Sequence, residues 1–212
     1  MKFNTLIELL SKKKPDISVN IPDGTLIDNP DVTVLFSDSR KVAANSIFAC
    51  VKGGHFDGHE YAAKAVQQGA LALICEYPMD IPLPQIITSD IRRNMGTIAS
   101  VLYEEPANKL SMIAVTGTNG KTTSAFMTKS ILEHAGMKTG LLGTVYNEDG
   151  DVVEDAEHTT PEASDLQYWL YRMVNNGCKA CVMETSSHSI DQGRIDGVLY
   201  DRAGFTNLTV DH

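Results

Sequence analysis

An α/β fold in two domains is what the pattern of this chain predicts. Strand and helix signals alternate over the first hundred residues, a proline-bearing break follows at Glu104-Glu105-Pro106-Ala107-Asn108, and a strand, glycine turn and helix then open the second half. The first domain is expected to be small and to span residues 1–107. The second, residues 108–212, reads as part of a mostly parallel-sheet domain built on a phosphate loop.

Each element has its own signal. Met1 to Lys14 reads as a helix, and its lysine cluster, Lys12 to Lys14, follows the apolar residues, the reverse of a secretory leader. Val32, Val34 and Phe36 alternate as a strand leading into Asp38-Ser39-Arg40, and Ile47 to Val51 is a second apolar run. After a glycine-rich turn, His59 to Gln68 is helix-like and stops at Gly69. Ala70 to Cys75 and Gln85 to Thr88 read as strands, and Ser89 or Asp90 caps a helix running to about Tyr103. Beyond the break, Gly140 to Val145 is apolar, and the acidic stretch Asn147 to Glu157 is expected to be a solvated loop. Thr159 and Glu162 have capping-box spacing with Pro161 in the first turn, which predicts a helix start displaying two hydroxyls. Ala180 to Met183 is a buried strand ending at Glu184.

The most informative stretch is Thr116-Gly117-Thr118-Asn119-Gly120-Lys121-Thr122-Thr123. It follows the apolar run Ile113-Ala114-Val115 and opens a helical pattern in which Met127, Ile131, Leu132 and Ala135 recur before Gly136. A glycine turn at a helix start presents free backbone N–H groups and the positive helix end to an anion. Lys121 is expected to reach the β/γ-phosphates and to face solvent when nucleotide is absent, and the Thr122 hydroxyl is expected to help hold Mg²⁺. Val115 stands where the general G-x-x-x-x-G-K-[ST] pattern has glycine, so the loop is a shorter variant. An acidic residue at the end of a buried strand in the same domain, Glu184, is placed to hold Mg²⁺ directly or through water.

Composition bounds the partners. The chain is 42% apolar and 21% charged, carries a formal charge of −9, and has no apolar stretch of bilayer-spanning length. A soluble cytoplasmic protein with no membrane and no nucleic-acid surface is expected, its anionic ligands held by local sites. Cys50, Cys75, Cys178 and Cys181 fall mostly in apolar runs and read as buried free thiols. If Cys178 to Cys181 is a strand, its odd spacing puts the two sulfurs on opposite faces, which suits neither a disulfide nor a metal.

Six ordered motifs together resemble the Mur ligases of bacterial cell-wall synthesis, most closely the MurE type. They are Asp38-Ser39-Arg40 with Ser46-Ile47-Phe48-Ala49; Gly54-His55-Phe56-Asp57-Gly58-His59; Thr116 to Thr123; His158-Thr159-Thr160-Pro161-Glu162; Met183 to His188; and Asn207-Leu208-Thr209-Val210-Asp211-His212. The first two alone also look like the MurF type, and the loop alone looks like folylpolyglutamate synthase, cyanophycin synthetase or a non-catalytic nucleotide-binding module. Pairing of Thr-Thr-Pro-Glu with Glu-x-Ser-Ser-His is similar to the MurE type. His158 departs from the asparagine that many relatives carry.

The resemblance implies a UDP-binding N-terminal domain, an ATPase central domain, and an ATP- and Mg²⁺-dependent ligase. Such an enzyme adds an amino acid to UDP-N-acetylmuramoyl-L-alanyl-D-glutamate, and a monomer is expected. It implies phosphate contacts from Gly117, Thr118, Asn119, Gly120, Lys121, Thr122 and Thr123, metal contacts from Thr122, Glu184 and His212, and catalytic roles for Lys121, Glu184 and His212. Ser37, Ser39, Gly54, His55 and Phe56 would meet the uridine diphosphate, and Thr159, Thr160, Ser186, Gln192 and Arg194 the muramoyl-peptide. Taken singly, Ser39 and Thr160 also read as turn or cap residues, His188 and His212 as ordinary hydrogen-bonded histidines, and Arg194 as a surface cation. The family also has a carbamylated lysine and a closing third domain further along, so the protein is expected to continue past His212.

Overall fold

A computed structural model describes residues 1–23, 25, 29–54 and 56–209. The chain divides into two compact units, Met1–Leu102 and Tyr103–His212.

In the first unit, α1 (Phe3–Lys13) buries Phe3, Leu6 and Leu10, three and four residues apart on one stripe. Lys12 and Lys13 sit in its last turn, where the helix dipole favours cations. Five strands, β1 (Ser18–Asn20), β2 (Val34–Phe36), β3 (Ser46–Ala49), β4 (Ala70–Cys75) and β5 (Gln85–Ile87), form a sheet of order β1-β5-β4-β3-β2. All pair in parallel except the edge strand β1, which the sequence pattern did not reveal. β3 is buried along its whole length, so it reads as a continuous apolar run. In β2 the buried side chain is Leu35, and Val34 and Phe36 face partly outward, so the expected alternation has its inward phase one residue off. The helix-like segment after the glycine turn is a 3₁₀ turn, Gly58–Tyr61, continuing into α2 (Ala62–Gln67), and Gly69 stops it at φ 98°. α3 (Ile91–Leu102) starts where Asp90 Oδ1 accepts the Arg93 N–H at 3.0 Å.

The second unit begins with a 3₁₀ turn, Pro106–Lys109, and contains β6 (Ser111–Thr116), α4 (Lys121–His134), β7 (Thr139–Leu142), β8 (Tyr146–Glu148), β9 (Val153–Asp155), α5 (Ala163–Asn175), β10 (Ala180–Glu184), α6 (Ser187–Asp191) and β11 (Arg202–Phe205). Its sheet runs β11-β6-β10-β7-β8-β9, parallel over the first four strands and antiparallel over the last two. Strand alternation assigns the faces. Met112, Leu142, Cys181 and Met183 pack with Leu166, Trp169, Leu170 and Met173 of α5, while Val115, Leu141 and Val182 pack with Ala125 of α4. Glu184 shares the phase of Val182 and therefore emerges on the α4 side.

Four further sequence expectations differ from the structure. The stripe of α4 that faces the sheet is Ala125, Phe126, Lys129 and Leu132, whereas Met127 and Ile131 are 60% and 66% exposed. Lys129 hides the true phase: its stem is buried and its ammonium is held by Glu133 at 2.7 Å and Glu148 at 3.2 Å. The acidic stretch is the β8–β9 hairpin, with Asp149 buried at its turn. At α5 the N-cap position is Glu162, with no side-chain capping bond, so the expected box does not form. Cys178 lies before β10 and packs in the same cluster as Cys181, so the opposite-face argument does not apply; all four cysteines are free and buried.

Asp149 supplies a pH-dependent test. Its carboxylate accepts the N–H groups of Asp151 and Val152 at 3.0 and 2.8 Å and Arg172 Nε at 2.6 Å. Burial alone would raise its pKa, but the two N–H groups and the guanidinium outweigh it and hold the carboxyl below the ordinary aspartate range. A depressed folded-state pKa stabilises the fold above the unfolded value, near 3.9, and that contribution is lost as pH falls through the folded value. Asp149→Asn is expected to cost about 1–3 kcal/mol at pH 7. In denaturant titrations the gap to wild type should shrink below about pH 4.

Candidate functional site

The phosphate loop joins β6 to α4. Gly117 and Gly120 adopt φ of 131° and 83°, values that favour glycine. At Gly117 a side chain is excluded twice over, because a Cβ there would also strike Thr206 and Asn207. The first N–H groups of α4, from Lys121 onward, have no partner inside the helix and are directed at the loop. Thr123 lies on the exposed side of this first turn.

Lys121 does not face solvent as expected. Its Nζ donates to the loop carbonyls of Gly117 at 2.8 Å and Thr118 at 3.1 Å, and the residue is partly buried. The ammonium therefore holds the loop closed on itself with two of its three N–H groups, and must release a carbonyl to give an incoming anion more than one.

Glu184, at the end of β10, is fully buried. Thr122 Oγ1 donates to its Oε2 at 2.9 Å, Thr144 Oγ1 to the same oxygen at 3.0 Å, and Thr144 N to Oε1 at 2.9 Å. A hydroxyl that donates to a carboxylate keeps its lone pairs for a cation. Gly143 makes room for this carboxylate, since a Cβ there would lie 2.5 Å from Oε1. Gly143 and Thr144 were missed by sequence reasoning; their place just after a strand neighbouring β10 is the signal that could have found them. His212 lies outside the described residues. Among the described residues no group of three or more His, Cys, Asp or Glu is arranged to hold a metal.

The remaining sequence-predicted residues of this unit gather around the end of β10. Thr160 Oγ1 donates to Glu184 O at 2.9 Å and accepts Ser186 N–H at 3.2 Å, so this buried hydroxyl is used on the strand terminus. Thr159 Oγ1 lies 3.2 Å from Thr144 Oγ1. Ser186 caps α6 by accepting Ser189 N–H. Arg194 is not a bare surface cation: it donates to Gln192 Oε1 at 2.9 Å and Thr160 O at 3.2 Å, and pairs with Glu162 at 3.0 Å. A cavity of about 560 Å³ is lined by Thr116, Gly117, Thr118, Lys121, Ser186, Ser187, His188, Phe205, Leu208 and Thr209. It lies within the size range of small-molecule sites.

In the first unit the candidate residues follow two adjacent parallel strands. Ser37 and Ser39 come after β2, and Gly54 and Phe56 after β3, so both loops leave the sheet at the same end, the C-terminal end of its parallel strands. His55 lies outside the described residues. Asp38 shapes the first loop: Arg40 hydrogen-bonds its carboxylate through Nε and NH2 and from the backbone N, and the guanidinium contacts bring the Asp38 pKa down to about 2. In the second loop Gly53 N–H donates to Phe56 O at 2.9 Å, and the Phe56 ring is 56% exposed. His59 anchors it from below. Its Nε2 accepts Glu76 N–H at 3.1 Å, so Nδ1 carries the proton that meets Asp57 at 2.6 Å.

Comparison with known proteins accounts for both halves. Residues 31–108 match the family model described as Mur ligase family, catalytic domain, and residues 115–212 match the Mur ligase middle domain. The UDP-N-acetylmuramoyl-L-alanyl-D-glutamate–2,6-diaminopimelate ligase of Geobacillus kaustophilus is 46% identical over 87% of this chain and 38% of its own length. Its counterpart from Bacillus cereus is 41% identical over 100% of this chain and 41% of its own length. The chain thus spans about two fifths of the length of these curated relatives. A solved structure of such a ligase superimposes with a TM-score of 0.75 at 27% identity, covering 96% of this chain and 41% of that one. With a phosphate loop, a buried carboxylate beside it, and two family models accounting for both units, this chain belongs to the Mur ligase family.

Proposed function

We propose that the chain carries the UDP-substrate-binding and ATP-binding parts of a cytoplasmic, monomeric, ADP-forming ligase. That enzyme adds the third residue to UDP-N-acetylmuramoyl-L-alanyl-D-glutamate in peptidoglycan synthesis. The observation that carries this reading is the 2.9 Å contact between the Thr122 hydroxyl and the buried Glu184 carboxylate at the start of the helix that follows the loop. The names of the curated relatives make 2,6-diaminopimelate the first amine to test.

The residues suit both cofactors. The glycine turn, the helix N–H groups and Lys121 form an anion cradle for ATP phosphates, with Gly117 to Thr123 as its span. Thr122 and Glu184 offer two hard oxygen donors, which suits Mg²⁺ because phosphate oxygens and waters complete its shell. When bound, Mg²⁺ would offset phosphate charge during transfer. Lys121 would trade the Gly117 and Thr118 carbonyls for phosphate oxygens. A carboxylate is a poor electrophile; taking the γ-phosphoryl group makes it an acyl phosphate and leaves ADP. An amine lone pair then attacks the acyl carbon, phosphate departs, and the amine proton is released. Thr159, Thr160, Ser186, Gln192 and Arg194 would orient the muramoyl-peptide, and Ser37, Ser39, Gly54 and Phe56 the uridine diphosphate.

Because the chain spans 38–41% of those relatives, binding is the measurement that tests the assignment. ATP·Mg²⁺ titrated into the ¹⁵N-labelled chain is expected to shift the amides of residues 117–123. UDP-N-acetylmuramoyl-dipeptide is expected to shift residues 37–39 and 53–57 without ATP, and Ser39→Ala should weaken that binding by about two- to tenfold. Absence of both sets of shifts at millimolar ligand would refute the reading.

A further inference from the structure

The segment that follows β11 makes a dense set of contacts with the phosphate loop. Asn207 Oδ1 accepts Asn119 N–H at 3.0 Å while Asn207 Nδ2 donates to Asn119 O at 3.0 Å, so one side-chain amide closes on both backbone groups of a single loop residue. Asn207 O accepts Thr118 N–H at 3.0 Å, and Thr206 Oγ1 donates to Asn119 O at 2.7 Å. Thr118 Oγ1 and the backbone of Thr209 exchange bonds of 3.1 Å in both directions. The glycine at 117 is what permits this approach.

These contacts use the N–H groups of Thr118 and Asn119. An anion in the loop is left with the N–H groups of Gly120 and the first turn of α4, and those point correctly only while the Asn119 peptide is fixed. We propose that Asn207 is a positioning residue that holds the phosphate loop in its receiving shape before nucleotide arrives. Binding then does not have to order the loop, and removal of the amide should appear as weaker nucleotide affinity with the anion contacts themselves intact. The inference rests on the nucleotide reading above, so the test separates the two.

The experiment combines amide hydrogen exchange of the nucleotide-free chain with ATP·Mg²⁺ titration, on wild type, Asn207→Ala and Thr206→Val. In Asn207→Ala the Asn119 and Thr118 amides are expected to lose protection while Leu141 and Val182 in the sheet keep theirs. Nucleotide affinity should fall by about tenfold, the worth of two neutral hydrogen bonds. Thr206→Val, which removes one bond to the same carbonyl, should show the same pattern at smaller amplitude and serves if the alanine variant does not fold. Unchanged exchange at Asn119, or equal affinity in variants of a wild type that binds, would overturn the proposal. A wild type that binds no nucleotide, with Asn119 still losing protection in the variant, would support the positioning role and refute the nucleotide reading instead.

Discussion

Glu184→Gln is expected to lower ATP affinity by about tenfold to a hundredfold in the presence of Mg²⁺ and to leave it close to wild type in excess chelator. The reason is the geometry at the end of β10. With its oxygen at the Oε2 position the amide keeps the shape of the carboxylate and still accepts from the Thr122 and Thr144 hydroxyls, which donate at 2.9 and 3.0 Å, while its NH2 meets the Thr144 N–H, so one bond and the charge are lost together. A cation near Thr122 loses its anionic partner, whereas the phosphates themselves lose nothing. Calorimetric titrations with and without chelator, beside circular dichroism of both proteins, make the measurement. Equal loss in both conditions would remove Glu184 from any metal role.

Lys121→Ala should behave in the opposite way, losing about tenfold to a hundredfold in affinity whether or not Mg²⁺ is present. Its Nζ already sits on the Gly117 and Thr118 carbonyls, so the variant removes both the cation offered to phosphate and a brace of the free loop. The two losses are separable, because inorganic phosphate competes for the cation and hydrogen exchange at residues 117–120 reports the brace. Affinity equal to wild type in a folded variant would show that the ammonium stays on its carbonyls throughout.

What the sequence made legible follows from how locally each feature is encoded. β4 was readable residue for residue because it is a buried parallel strand, Ala70 to Cys75, ended by a change in composition. The phosphate loop was readable because glycine, lysine and threonine are each required within eight neighbouring positions. The phase of α4 was not, because it is set by Thr122 reaching Glu184, 62 residues away, and because Lys129 stands on the inward stripe in place of an apolar residue. The acidic run hid a hairpin for a related reason: Asp149 is satisfied by Arg172, a partner 23 residues away that no local pattern announces. Gly143, Thr144 and Asn207 escaped notice as site residues because each acts through a neighbour brought to it by the sheet.

The parallel register of β6 and β10 pairs Val115 with Glu184. The phosphate loop begins at the residue after the one, Glu184 at the end of the other, so their separation is fixed by main-chain pairing. Core substitutions that alter volume along these strands change stability but leave that spacing intact. A single-residue insertion or deletion within Ala180 to Met183 is a different event, since the two-residue period of a strand would turn Glu184 to the α5 face and bring a neighbour to Thr122 in its place. The spacing between the loop and Glu184 therefore survives changes of side chain along the buried β10, whose cost falls on stability, and does not survive a change in the length of the strand.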